Sequence, residues 1–380
     1  MMFRNIDTRL IIESDDGNLF YPVVIDFNYV DQYPFNVGIA NIEILTNPAS
    51  GTADYISPAR FDNPVRLQAN VTYSTEEKPV WIDFFEGLIQ DISTAYGRDN
   101  VTMLMCKGHS NEAVYTLIRS NESYSSASTG SILNDVVTDY LSRVTPGTFE
   151  TGTTLTDYNI KKDQKYVSDV IQEIERLEGY DYRFYTETSY TSAGLLDTVT
   201  ANWSEFSSTA TEQYKVIEGT PRLISADFKS GGDAVYNFAV IYGQQTTPQK
   251  VGSASDATSI NNYDSRYYIT SSTGLTTNQL CSDIAAAIVS KYSEPLVTGR
   301  VQILFTPEAK PGDYVYCKVP SLEVDGKSID GNYRVVRVQH SGSAEGITTT
   351  LDLESLFIDP VDILTDLAVN SRISLQNFII

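Results

Sequence analysis

The sequence is poor in the residues that most often carry chemistry: among 380 residues there are only 3 Cys and 2 His. Cys106, Cys281 and Cys317 are too few and too scattered for a disulfide framework or a metal knuckle, and their odd number leaves at least one thiol free. That usage predicts synthesis in a reducing cytoplasm. His109 and His340 lie far apart and outside any His-Glu-x-x-His or Cys-x-x-Cys pattern, which argues against histidine-based zinc chemistry. Each follows a predicted strand, so both are read as surface or sheet-end histidines. No Gly-x-Ser-x-Gly elbow accompanies them to support a nucleophilic serine.

Positive charge is also scarce. Lys and Arg number 27 against 49 Asp and Glu, a net charge of −22. A surface of that sign repels phosphate, which disfavours tight reading of duplex DNA and binding to anionic lipid headgroups. Long apolar runs are missing as well. Stretches such as Ile284-Ala285-Ala286-Ala287-Ile288-Val289 fall far short of the roughly 20 residues that span a bilayer, so no membrane insertion is expected. The segment from Met1 to Asp7 turns polar and acidic before the apolar stretch of a secretory signal can form. Without that route, the Asn-x-Ser/Thr triplets at Asn70, Asn100, Asn121 and Asn202 are chance products of a Ser/Thr-rich chain.

What is present is β-sheet pattern over a length suited to two or three domains. Residues 10–12, 21–27, 80–85 and 234–242 are short, β-branched and aromatic, bounded by Gly, Asn or Asp. Helical periodicity is read in three places. Ile132, Leu133, Val136, Val137, Tyr140, Leu141 and Val144 form one stripe that stops at Pro146-Gly147. Residues 164–178 carry Val167, Val170, Ile171, Ile174 and Leu177 on one face, with Asp163 as the expected cap. A third helix starts near Thr277 and ends before Pro295. Polar tracts at residues 186–213 and 244–262 read as loops or boundaries. Residues 85–105 and 331–353 echo each other as hairpins, a pattern that a duplicated domain produces and that any two hairpins can also produce.

Gly326-Lys327-Ser328 mimics the end of a phosphate loop, but the first glycine of that motif falls on Ser321 and no helix follows. Asp325-Gly326 reads instead as a turn between two strands. The carboxylate pairs Asp169/Glu173 and Asp83/Glu86 are read as solvated charge, because carboxylates are too abundant here for pairing to be informative. The 25 Tyr are consistent with strand edges or with a sugar- or protein-binding face.

The order of motifs resembles the baseplate or tail-tip hub proteins of tailed bacteriophages, the late control D-like hub family. The resemblance runs through Phe84-Phe85-Glu86-Gly87-Leu88-Ile89-Gln90-Asp91-Ile92, the helix from Ser131, and Asp157-Tyr158-Asn159-Ile160 leading into the second helix and Gly179-Tyr180-Asp181-Tyr182-Arg183-Phe184. It continues in Pro311-Gly312-Asp313-Tyr314-Val315, Gly331-Asn332-Tyr333-Arg334-Val335 and Thr348-Thr349-Thr350-Leu351-Asp352-Leu353. The fold it implies is mainly β with α+β insertions: two tail-tube-like antiparallel β-barrel domains plus two smaller α/β domains. Residues 1–112 would form the first tube-like domain and 113–218 an inserted α+β domain. Residues 219–248 with 297–355 would form the second tube-like domain, and 249–296 with 356–380 a small helix-containing domain.

The implied role is a homotrimeric ring in the virion tail that adapts a hexameric tail tube to a trimeric spike or tip. Its partners would be the tube protein, the spike or tip protein and the tape-measure protein, with the genome passing through the lumen without specific binding. The resemblance implies no catalytic, cofactor-binding or metal-binding residue, and no enzyme activity. Two rival classes are a β-rich glycan-active enzyme, which needs two carboxylates in one cleft with separated pKa values, and a host-surface adhesin using the tyrosines.

Overall fold

The fold was analysed in a computed structural model. It describes residues 5–32, 35, 37–45, 59–72, 81–95, 101–178, 182–205, 215–231, 235–243, 245, 247–271, 277–324, 326–343 and 346–354. Residues 356–380, assigned from sequence to the helix-containing domain, lie outside the described residues, as do Gly179, Tyr180, Asp181 and Asp325.

The chain opens with β1 (Asn5–Glu13), β2 (Leu19–Phe20), β3 (Val24–Gln32), β4 (Ile39–Leu45), β5 (Pro64–Thr72), β6 (Trp81–Ala95) and β7 (Val101–Gly108). There follow α1 (Glu112–Tyr115), β8 (Glu122–Ser128), α2 (Thr129–Tyr140), β9 (Thr145–Phe149), β10 (Thr154–Ile160), α3 (Val167–Leu177), β11 (Tyr182–Tyr190) and β12 (Leu196–Glu205). The second half comprises β13 (Val216–Ile217), β14 (Leu223–Gly231), β15 (Phe238–Tyr242), β16 (Val251–Ser255), α4 (Ala257–Tyr263), β17 (Tyr267–Ser271) and α5 (Asn278–Tyr292). It ends in β18 (Leu296–Leu304), β19 (Tyr314–Val324), β20 (Lys327–Ser343) and β21 (Gly346–Glu354).

The mainly β architecture with smaller α/β units is as expected from sequence, and both echoing hairpins form, β6 with β7 and β20 with β21. The tube-like strands are hydrogen-bonded along one path, β14-β18-β21-β20-β3-β4-β7-β6-β5-β1-β2, with β19 beside β20 and β13 beside β19. Among the described residues this path stays open, ending at β14 and β2, so the two tube-like units are joined in one sheet and neither closes by itself.

The join is made by β20. Its first half pairs with β19, and Arg337–Gly342 pairs antiparallel with Phe27–Gln32 of β3. A register shift between Val335 and Arg337 on the β21 side marks the change of partner, as bulges do where a strand is redirected.

Four apolar clusters follow from the strand and helix periodicities. One lies inside the first seven strands around Leu10, Ile42, Leu67 and Leu104, and it takes in Phe305 from the second half. A second lies around Val301, Val315, Val335 and Leu351. The third joins α2, α3, β11 and β12 through Ile132, Ile171, Phe184 and Trp203. The fourth packs Ile284 and Ile288 of α5 on Ala239 and Ile241 of β15.

Several local expectations are corrected. The Ser/Thr-rich run is not a loop as far as Glu205: β11 and β12 form an antiparallel hairpin across it, because its Thr, Val and Tyr alternate between wet and dry faces. In the second polar tract, residues 251–255 form β16, and Asp256 caps α4 by accepting from the backbone N–H of Thr258 and Ser259. Seven residues are too few to show a helical period. Asp163 does not cap α3; it sits in a turn at φ 56°, and Asp169 accepts from Tyr166 N instead. α2 ends at Tyr140 rather than at Pro146-Gly147, which lie in β9 on the edge of a sheet where proline costs no ladder bond. The strand Phe238–Tyr242, grouped from sequence with the second tube-like domain, pairs only with β16 and β17 among the described residues. Gly326 sits between β19 and β20 at φ +70°, a backbone region that glycine enters without strain, in keeping with a turn.

The buried stripe of α3 gives a direct test. Ile171 is fully buried in the third cluster, so Ile171→Ala should cost about 2–5 kcal/mol, as large-to-small core changes do. Chemical denaturation of the variant should show a lowered midpoint; an unchanged midpoint would show that the α3 face does not hold its unit together.

Candidate functional site: a junction cleft and a polar sheet face

Three of the four clusters meet at a cleft of about 210 Å³ whose walls include Asp31, Glu86, His109, Glu175, Arg183 and Lys310. Its polar groups tie the units to one another. From α3, the Glu175 carboxylate accepts from Phe35 N at 2.7 Å and Phe184 N at 3.2 Å, while Gln172 Nε2 donates to Phe35 O at 3.2 Å. The backbone of Phe35, between β3 and β4, is thus held on both its polar groups by one helix. Its ring meets that of Phe184 edge-on at 5.7 Å.

The β11–β12 hairpin is fastened to the first sheet by three further residues, Glu86, Arg66 and Glu13. Glu86 accepts from the Tyr190 hydroxyl at 2.6 Å, Arg66 lies 3.7 Å over the Tyr190 ring and donates to Gly194 O at 2.7 Å, and Glu13 accepts from Leu196 N at 2.7 Å. Arg183 donates to Pro311 O at 3.3 Å, which reaches the second tube-like unit.

Burial sets the electrostatics of this junction. Glu175 is completely buried, and desolvation pushes its carboxyl up to about 8 against the pull of its two backbone donors. Desolvation likewise raises Asp31 to about 6, opposed first by the Tyr29 hydroxyl, which donates to it at 3.3 Å, and more weakly by Arg183 and Lys310. Glu86 is raised by the same cause.

The residues singled out in the sequence take structural places. His109 is buried beside the cleft and lowered to about 4. His340 is fully buried within β20, its ring packed with Tyr29, Phe84 and Phe305 and its Nδ1 2.9 Å from Thr349 Oγ1; burial lowers it to about 3. Neither is a surface histidine: His109 stands at the end of β7 but is buried at the cleft, and His340 lies on the dry side of β20, which a flanking-residue pattern does not reveal. Glu173 takes the Tyr158 hydroxyl at 2.9 Å and pairs with Lys165, and Asp83 accepts from Gln68 Nε2 at 2.7 Å. The two carboxylates with strongly raised values, Asp31 and Glu175, were not singled out in the sequence. Only the fold brings the β3 end, the Phe35 segment and α3 together. Among the described residues no group of three or more His, Cys, Asp or Glu is placed to hold a metal ion.

The second feature is the wet face of the long sheet. Adjacent strands place Ser225, Gln302, Thr350 and Gln339 in one row, and Thr348, Ser341, Asn28, Asn41, Met105 and Asp91 in another. The alternate residues, among them Val301, Leu351, Phe27, Ile42 and Leu104, are buried below. Across the join, Gln339 Nε2 donates to Asn28 Oδ1 at 2.8 Å and Ser341 Oγ to the same oxygen at 3.3 Å. A shallow groove of about 430 Å³ runs here over Asn28, Gln302, Gln339, Ser341 and Thr348. The face is mostly neutral and polar, and two of its arginines, Arg300 and Arg337, both pair with Asp352.

The junction generates a pH prediction. Asp31 and Glu175 hold protons more tightly folded than unfolded, so their contribution to stability is complete below about pH 4 and is lost as pH rises through about 6 and about 8. The buried His109 and His340 tilt the opposite way, losing stability as pH falls below their unfolded value. Glu175→Gln removes one titration and one of the two hydrogen bonds. It should unfold at lower denaturant than the wild type near pH ~5, with the gap narrowing toward pH ~8.5. A gap that does not change with pH would show that Glu175 is not buried in this way.

No family model matches the chain, and no curated protein matches it by sequence. Solved structures do. A tail protein from a prophage of Shewanella oneidensis superposes with a TM-score of 0.62 at 10% identity, covering 94% of this chain and 99% of that one. A tail protein from Neisseria meningitidis gives 0.57 at 12% identity over 94% and 99%, and a prophage tail protein from Listeria monocytogenes 0.54 at 12% over 95% and 98%. At such identities the likeness lies in the architecture, which spans nearly the whole of each chain: this protein has the fold of phage tail proteins.

Proposed function

We propose that the chain is a structural protein of a phage tail, a baseplate or tail-tip hub that assembles as a homotrimeric ring. Two tube-like units per chain would give such a ring six tube-like positions, matching a hexameric tail tube on one side while three chains match a trimeric spike or tip on the other. The tape-measure protein would thread the same ring.

The observation that carries this reading is the single sheet running through both tube-like units, with one mostly polar face and one buried face. In a ring, that polar face would line the channel. Neutral side chains, a net charge of −22 and arginines already paired to Asp352 leave little to hold a phosphate backbone. DNA would pass without sticking, whereas a basic lining would trap it through counterion release.

A glycan-active enzyme is less well supported. Both Glu175 oxygens are occupied by backbone donors, and Glu86 is held by Tyr190. Neither carboxylate is left facing a substrate, as an acid and base pair would have to be. The proposed role is therefore assembly and passage, without catalysis.

Light scattering of the purified chain should give the mass of three chains, and a monomer that persists even with its tube and spike partners present would count against the ring. The wild type should not retard DNA at low salt. Replacing Asn28, Asn41 and Ser341 together by Lys should create salt-sensitive DNA binding in the ring. DNA binding by the wild type, or none by the triple variant in an intact ring, would remove the polar face from the channel.

A further inference from the structure

The junction cleft offers more acceptors than its own donors use. The register pairs Gly87 with Gly108, which sets Glu86 and His109 together at the end of the β6–β7 ladder and on the wall of the cleft. His109 is only 7% exposed, and among the described residues its ring has no hydrogen-bond partner. Burial keeps the imidazole uncharged at neutral pH, so one of its ring nitrogens carries a lone pair. A buried polar ring is costly to leave unpaired, which points to a donor supplied from outside the chain.

Asp31 lines the same space from β3. Its donors are the Tyr29 hydroxyl, at a long 3.3 Å, and the Gln32 backbone, and among the described residues it forms no ion pair. Arg183 and Lys310 act on it only at longer range. Arg183 is already engaged, lying 4.7 Å over the Tyr185 ring and donating to Pro311 O. Asp83 and Glu86 add negative charge to the walls, and Tyr29, Phe84 and Phe85 add aromatic surface. Carboxylates, aromatic rings and a neutral imidazole around about 210 Å³ suit a donor-rich organic cation, which gains from opposite charge, from ring contact and from an acceptor at once.

We propose that the cleft binds an alkylguanidinium or alkylammonium group, the head of an arginine or lysine side chain or of a free polyamine, held between Asp31 and His109. One N–H of the group donates to the Asp31 carboxylate and another to the open nitrogen of His109. The residues involved all belong to one chain, so the site does not depend on the ring.

Nuclear magnetic resonance of the full-length protein tests this, because the chain has only two histidines and His340, sealed among Tyr29, Phe84 and Phe305, is an internal reference. Agmatine should move the His109 ring signals saturably and leave those of His340 in place, while inorganic phosphate, of opposite charge, should move neither. A blocked arginine tripeptide separates the two sources: binding as tight as that of agmatine assigns the site to a side chain, and binding of agmatine alone assigns it to a free polyamine. Asp31→Asn should weaken agmatine by about tenfold, and Lys310→Ala, an exposed change that removes a like charge acting on Asp31, should tighten it by about threefold. His109 signals that fail to saturate with agmatine by ~10 mM would overturn the proposal. Equal binding by wild type and both variants, or a response to phosphate in place of agmatine, would overturn it too.

Discussion

The pairing of Arg337–Gly342 with Phe27–Gln32 is the contact on which the rest of the architecture depends. Without it the tube-like strands would form two sheets, each with a bare hydrogen-bonding edge of the sort that invites misassociation. With it, one register fixes both sides of the seam. On the wet side Asn28 receives Gln339 and Ser341; on the dry side His340 enters a ring of Tyr29, Phe84 and Phe305. Because strand side chains alternate with period two, a slip of one residue would exchange these sides and bury Asn28 while exposing Phe27. The seam also tolerates little bulk, since a Cβ on Gly342 would lie 2.1 Å from the Phe27 ring.

The junction cleft works by a different principle. Its contacts are polar and buried, and such contacts add less net stability than an apolar interface of equal area, because desolvation offsets most of the attraction. What they add is geometry. A carboxylate that needs two N–H donors, as Glu175 needs those of Phe35 and Phe184, permits one arrangement of α3, the β3–β4 connection and β11. An apolar contact would permit many. The large sheet therefore provides cohesion, and the carboxylates fix how the helical unit sits upon it.

Much of this was legible in the sequence and some was not, for identifiable reasons. The period-two runs, the stripes of α2, α3 and α5, and the two echoing hairpins all appear where periodicity is strong. The resemblance to tail hubs led to the right fold because it rested on the order of such elements. Polar strands were missed in residues 186–205: Ser and Thr read as loop by composition, although their alternation with Tyr and Val suits a half-wet hairpin. The site was least legible. His340 and Glu175 are polar residues whose partners lie on other elements, so no local pattern distinguishes them from solvated neighbours. The seam joins residues about three hundred positions apart, as in the bond from Gln339 to Asn28, and only the assembled sheet reveals it.

A fold shared at 10–12% identity with phage tail proteins fits what its faces require. A core strand needs an apolar residue of suitable size at every second position, and many combinations satisfy that if total volume and pattern are kept. The wet face makes a looser demand, a side chain that suits a solvated strand, which Asn28, Asn41, Gln302, Gln339, Ser341 and Thr348 meet as a class. A catalytic constellation would impose identity at particular positions, because a nucleophile or base cannot be exchanged for another member of its class without loss of the reaction. In the role proposed above, where surfaces do the work, that restriction is absent. Sequence can then drift until only the pattern of wet and dry positions remains, together with close-packed points such as Gly252 and Gly342, where backbone or ring leaves no room for a side chain.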